Sequence, residues 1–218
     1  MYFTKTPWWL KRVYPTYHWD MGRQERAVYL TFDDGPHPEA TPFVLEQLAR
    51  FDAKATFFCI GKNVEAHGDI YARIRAEGHA VGNHTHNHLN GWHTEKQAYV
   101  ENVEKAAAFI STGLFRPPYG RVKRSQACAL QSPTDSRHGF HIIMWDVLSA
   151  DFDRNITPQT CLNTVLRQVI NGSIVVFHDS EKAFNNMKYA LPKVLEHFTD
   201  KGFAFKPINL APIEKGPE

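Results

Sequence analysis

Seven short apolar runs recur along the chain with room for a helix between most of them, and this alternation limits the fold more than any other feature. Residues 28–32, 55–60, 80–82, 114–115, 141–145, 174–177 and 203–205 are rich in β-branched and aromatic side chains and read as strands. Helical patterns fill 42–50, 69–77, 95–110, 160–170 and 186–198, with Gly78 and Gly202 placed as stops after two of them. Strands that alternate with helices build a parallel sheet wrapped by helices. A chain of 218 residues with no repeat and no Pro-, Gly- or Ser-rich linker is read as one α/β domain over 1–218.

Reactive side chains cluster just after the strand-like runs: Asp33 and Asp34, His84, Arg116, Asp151 and His178. Collected at strand carboxyl ends, they are what a (β/α) barrel presents on its active face. The run Thr31-Phe32-Asp33-Asp34-Gly35-Pro36 ends a strand at a turn signal. Consecutive strand side chains point to opposite faces, so Asp33 and Asp34 need a local distortion to share a cavity, and different tasks are expected of them: one to bind metal, the other to move a proton. In His84-Thr85-His86-Asn87-His88, a helical segment would bring His84 and His88 to one face, and an extended one would pair His84 with His86. Spacing alone leaves both open. Two imidazoles and a carboxylate, with a position left for water, are a common catalytic zinc arrangement.

Composition narrows the function classes. A formal net charge of +2 with both signs dispersed gives no electrostatic footprint for nucleic acid, and a neutral sugar suits this balance. Cys59, Cys128 and Cys161 are odd in number and widely spaced, which implies reduced thiols. No stretch approaches the roughly 20 apolar residues of a bilayer span. Trp8-Trp9-Leu10 followed by Lys11-Arg12 is too short an apolar region, with its charges on the wrong side, for a secretory signal. On sequence alone the expected location is therefore the cytoplasm.

From about Val28 to Phe205 the sequence resembles the polysaccharide deacetylase family, the NodB-type carbohydrate esterases (family 4). Five motifs recur in order: Thr31 to Pro36; His84-Thr85-Xaa-Xaa-His88; Arg116-Pro117-Pro118-Tyr119-Gly120; Trp145-Asp146 through Asp151-Phe152; and Val176-Phe177-His178. Phe152 replaces the tryptophan of many relatives, and Val176 replaces a leucine. The resemblance implies a deformed barrel of about seven parallel strands and selects His84 with His88. It implies a divalent ion on Asp34, His84 and His88, most simply Zn²⁺, with Co²⁺, Fe²⁺, Mn²⁺ and Ni²⁺ also compatible with these ligand types.

The same resemblance implies a general base at Asp33, paired with Arg116, and an acid at His178, held by Asp151 rather than Asp146. The backbone N–H of Tyr119, stiffened by Pro117-Pro118, would face the oxyanion. Phe152 and Val176 would line the acetyl pocket, where Val for Leu removes on the order of 1 kcal/mol of contact. Trp145, Trp92 and His93 could offer a sugar-stacking surface, and His37 could line the cleft. The implied activity is removal of acetyl groups from N-acetylglucosamine units of a peptidoglycan- or chitin-like saccharide, substrates that in the family often lie in the cell envelope. Neighbouring readings are an O-acetyl esterase of the xylan type and a hydrolase of a small non-sugar amide. A non-catalytic carbohydrate-binding protein is disfavoured, because every motif residue needed for chemistry is present.

Overall fold

β1 (Ala27–Asp33) is the hub of the sheet and is almost wholly buried, which explains its nearly unbroken apolar run. In this computed structural model, which describes residues 2–133 and 139–214, β1 pairs in parallel with β2 (Thr56–Cys59) on one side and β7 (Ile174–His178) on the other. β3 (Ala80–Asn83), β4 (Leu114–Phe115) and β5 (His141–Ile142) follow beyond β2, and β6 (Val147–Leu148) follows beyond β7. All these pairings are parallel. β8 (Ala204–Phe205) pairs with the first residues of β1.

The ends of this sheet lie on one extended segment. Residues 141–142 pair with β4, and 147–148, only a few residues later, pair with β7. Ile143 N–H donates to Phe115 O and Asp146 N–H to Ile174 O, so the segment leaves one edge and joins the other. The sheet is thereby curled into a half-barrel of seven parallel strands, in keeping with the deformed barrel expected but with a different membership. The run expected over 141–145 is a strand only at 141–142, a second short strand follows at 147–148, and 203–205 sits at the foot of β1 rather than in the main sequence of seven. Periodicity cannot show a strand changing partners midway.

Side-chain alternation decides what faces inward. Phe32, Phe57 and Phe177 stack across β2, β1 and β7 with centroids 5.1 and 6.1 Å apart, in the layer shared with α2 (Ala40–Arg50) and α8 (Phe184–Asp200). Each is fully buried, worth about 1.5–3 kcal/mol. With Phe32 outward, Thr31 and Asp33 point into the barrel. α8 presents Met187, Ala190, Leu191, Val194 and Leu195 at helical spacing to this layer, and packs on α7 (Pro158–Gln168). α7 starts where Thr157 accepts from Thr160 N–H at 3.1 Å and Pro158 takes the first helical position. α3 (Gly61–Ala66), α4 (Gly68–Ala76), α5 (Lys96–Ala107) and α6 (Arg124–Gln131) complete the wrapping. Gly78 closes α4 at φ 81°, as its position suggested. No helix among the described residues is long and apolar enough to cross a membrane.

Residues 2–20, which include α1 (Trp8–Val13), form a strap along the segment 142–148. Thr6 N–H donates to Asp146 O, Leu148 N–H to Thr4 O and Met144 N–H to His18 O. Asp146, a motif residue, is buried beneath the strap and accepts from Lys5 and Lys11 Nζ at 2.7 and 2.8 Å and from Ser173 Oγ at 2.7 Å. Its task is to anchor the strap, as the choice of Asp151 over Asp146 for His178 requires. Asp146→Ala leaves these donors without their acceptor, and a stability loss of about 1–3 kcal/mol is expected in urea unfolding. An unchanged midpoint would contradict this anchoring.

Candidate active site

Asp33 ends β1 and turns into the barrel, where Arg116, just after β4, meets it: Nη1 donates to Asp33 Oδ1 at 2.7 Å. Arg116 is fully buried. Its other donors reach Thr31 Oγ1 at 2.7 Å, Met144 O at 2.9 Å and Ile143 O at 3.1 Å, and the guanidinium lies 4.0 Å over the Phe58 ring. Burial lowers the Arg116 pKa and the Asp33 carboxylate opposes that shift, so a charged guanidinium is matched by an anion and by three neutral acceptors.

The distortion required of the Asp-Asp pair is present. Asp34 takes φ 84°, a left-handed conformation rare outside glycine, and so reaches the cavity that Asp33 faces. The histidine segment is neither helix nor strand. Thr85 and His88 take φ 64° and 56°, and the resulting loop returns His88 to His84. The helical geometry expected for this pair is therefore replaced by a turn, because strand β3 ends at Asn83 and the chain reverses at once. His86 points away from the pair and stacks on Phe109 at 5.8 Å, which removes the extended alternative.

Asp34, His84 and His88 each offer a ligand atom within 4.8 Å of the others, and no other such group occurs among the described residues. His88 Nε2 lies 3.2 Å and His84 Nε2 3.7 Å from Asp34 Oδ1. His84 Nδ1 sits 2.8 Å from Arg116 O, a contact that places its proton on Nδ1 and leaves Nε2 as a lone pair aimed inward. Burial pushes the His84 pKa down to about 4, ahead of smaller opposing effects from Asp33 and Asp34. Burial alone would raise the Asp34 carboxyl, but His88, His178 and His84 outweigh it and hold it well below the usual range. Asp34 Oδ1 is buried without a hydrogen-bond partner. A carboxylate oxygen and imidazole nitrogens converging on one point fit a divalent cation.

His178, at the end of β7 and beside Asp33 in register, is held by Asp151: Nδ1 lies 2.7 Å from Asp151 Oδ1, and its backbone N–H donates to Oδ2 at 2.7 Å. Nε2 is left for the cavity. Burial alone would lower the His178 pKa, but the Asp151 charge and hydrogen bond, with Asp34 and Asp33 behind them, raise it to about 9.

These residues share one cleft of about 450 Å³, whose walls include Asp33, Asp34, His84, His88, Tyr119 and His178. Trp145, Phe152 and Val176 also line it. The Phe152 ring meets His178 edge-on at 5.2 Å. Tyr119, at φ 60°, follows Pro118 in a tight turn in which Gly120 and Arg121 N–H donate back to Pro117 and Pro118 O. Pro118 is buried inside that turn, and the proline on the cleft wall is Pro117. His37 accepts at Nδ1 from Glu39 and Ala40 N–H at the start of α2 rather than lining the cleft, and His93 is exposed outside it.

Tyr2 and Lys182, absent from the sequence expectation, also line the cleft. Asp179 was missed as well. It is fully buried, accepts from Gly35 N–H at 3.0 Å and from Thr41 Oγ1, and so ties the turn carrying Asp34 to the end of β7. A Cβ on Gly35 would fall 2.0 Å from Asp179 Oδ2, which explains the glycine. The available signal was a carboxylate directly after His178.

Buried carboxylate–histidine chemistry at the carboxyl ends of a parallel half-barrel defines a hydrolase-type site. The family model for polysaccharide deacetylases matches residues 20–132. A peptidoglycan-N-acetylglucosamine deacetylase of Bacillus cereus is 34% identical over 185 residues, covering 82% of this chain and 65% of its own length, so the chain spans just under two thirds of that relative. A chitooligosaccharide deacetylase of Rhizobium leguminosarum is 30% identical over 161 residues, covering 73% of this chain and 74% of its own. Among solved structures, a peptidoglycan N-acetylglucosamine deacetylase superposes with a TM-score of 0.80 at 30% identity, covering 93% of this chain and 95% of its own. The chain belongs to the polysaccharide deacetylase family.

Proposed function

We propose that this protein is a metal-dependent deacetylase that cleaves the acetamido group of N-acetylglucosamine units in a peptidoglycan- or chitin-like saccharide. The observation that carries the reading is one cleft that gathers the Asp34, His84 and His88 cluster with the Asp33–Arg116 and His178–Asp151 pairs. The relatives named above are deacetylases of such saccharides.

Asp34, His84 and His88 would hold one divalent ion, Zn²⁺ being the simplest occupant, and such an ion would supply carbonyl polarisation and lower the pKa of water towards about 7. Asp33, oriented by Arg116, takes a proton from the attacking water. Tyr119 lines the cleft, and its backbone N–H would donate to the acyl oxygen as negative charge develops there. An amine leaves poorly unless protonated, so His178 Nε2–H delivers a proton to nitrogen as the C–N bond breaks, and Asp151 keeps the imidazolium oriented. The products are acetate and the free amine.

The His178 acid sets the pH dependence. Its protonated form prevails below about 9 and is lost above it, so kcat/KM should decline on the alkaline side near that value. Asp151→Asn removes the main influence that raises the pKa, leaving burial to lower it, so the alkaline limb should move to lower pH. A limb at the same pH in wild type and variant would contradict the pairing.

Matched N-acetyl and O-acetyl sugars assayed with wild type and His178→Ala test the assignment. Loss of amide cleavage with much of the ester cleavage retained is expected, since an alkoxide needs less help from an acid. Activity of wild type on esters alone would replace the N-deacetylase by the O-acetyl esterase.

A further inference from the structure

Asp34, the carboxylate of the metal cluster, sits in a backbone conformation that two residues outside the chemistry support. At φ 84° it occupies the left-handed region that a non-glycine residue holds only where its surroundings impose it, and its buried Oδ1 has no hydrogen-bond partner. The backbone is fixed on both sides of it. Before the Asp34 Cα, Asp33 O accepts from Asp179 N–H at 3.0 Å. After it, Asp34 O accepts from Asn63 Nδ2 at 2.7 Å, and Gly35 N–H donates to Asp179 Oδ1 at 3.0 Å. Each peptide unit is planar, so pinning the two that flank Asp34 sets its φ and ψ and hence the direction of its Cα–Cβ bond. Asp179 acts on both planes and Asn63 on one.

We infer that Asp179 and Asn63 are positioning residues that hold Asp34 in ligating geometry, and so set how tightly Asp34, His84 and His88 retain a divalent ion. The inference rests on the metal-dependent reading and extends it from the ligands to the residues that aim one of them. Partners of this kind change metal affinity by about 10–100-fold. The Asp179 carboxylate is itself aimed: Thr41 Oγ1 donates to its Oδ2 and accepts from His37 N–H at 2.8 Å. It is fully buried and answered by these neutral donors rather than by a cation, a placement that costs solvation and calls for a task. Asn63 stands in α3, whose start ties the two ligand loops together. Ile60 N–H donates to Gly35 O at 3.0 Å, while Gly61 and Lys62 N–H donate to Thr85 and His86 O at 2.9 and 3.1 Å. Asn63 thereby registers Asp34 against the loop that carries His84 and His88.

The test is the affinity for Co²⁺ and the visible spectrum of the bound ion, measured on metal-stripped wild type, Asp179→Ala, Asp179→Asn and Asn63→Ala, with the Tm of each stripped protein alongside. Both alanine variants should weaken Co²⁺ binding by about tenfold or more and alter the spectrum, because a displaced carboxylate changes the ligand field. Asparagine keeps an acceptor for Gly35 N–H and offers Nδ2 to Thr41 Oγ1, so Asp179→Asn should recover most of the affinity. A merely structural role would lower Tm and leave affinity and spectrum as in wild type. Wild-type affinity and spectrum in either alanine variant would overturn the inference, and Asn63→Ala, at a half-buried position, reads it even where Asp179→Ala does not fold. Binding as weak in Asp179→Asn as in Asp179→Ala would also overturn it, since charge rather than hydrogen bonding would then be at work. A wild type that binds no Co²⁺ would remove the metal site itself, and the metal-dependent deacetylase with it.

Discussion

Asp33→Asn should lower acetate release by about 10²–10⁴-fold, the range associated with losing a general base, while the protein still binds its metal. The asparagine is isosteric and its carbonyl oxygen can still accept from Arg116, so the buried guanidinium keeps a partner. What disappears is the capacity to take a proton. Asp34, His84 and His88 are untouched, so metal affinity should match wild type. Parallel measurement of kcat and metal stoichiometry separates the roles of adjacent carboxylates. Equal loss of metal and activity would mean that Asp33 is a ligand, and full activity would remove it from the chemistry.

Arg116→Met carries the largest expected stability effect. The side chain is fully buried and bonded at once to Asp33, Thr31, Ile143 and Met144, and its own backbone carbonyl holds His84 Nδ1. Methionine fills much of the volume but leaves the Asp33 carboxylate, itself only 3% exposed, without its counter-charge. Breaking a buried pair in this way costs about 3–5 kcal/mol. Urea unfolding should show that loss, together with collapse of activity. A change below about 0.5 kcal/mol, the range of an ordinary surface substitution, would contradict the role assigned to this pair.

The parts of the fold that were legible in the sequence are those governed by local burial. β1 and β7 are buried on both faces, so their apolar runs are long, and each ends in the polar residues of the site. α5, α7 and α8 were visible through their apolar spacing, with ends displaced by one to three residues; α8 continues through Pro192 because its packing face does. α3 and α6 were missed, being short and largely polar. The division of 141–148 between two strands depends on partners far away in sequence. In the site, residue identity was legible but backbone shape was not. The turns at Asp34, Thr85, His88 and Tyr119 have positive φ without glycine, conformations that surrounding structure imposes and composition does not announce. The same limit hid Asp179 and the strap, whose importance comes from contacts more than a hundred residues distant.

The central claim is that the cluster of Asp34, His84 and His88 makes this chain a metal-dependent deacetylase. The most direct measurement is acetate release from N-acetylglucosamine oligomers by protein stripped of metal and then titrated with Zn²⁺ or Co²⁺. Activity that is absent in the stripped protein, rises with added ion and saturates at one equivalent per chain is the expected result. Acetate release that proceeds undiminished in the stripped protein, or none from any oligomer at full metal occupancy, would contradict the claim.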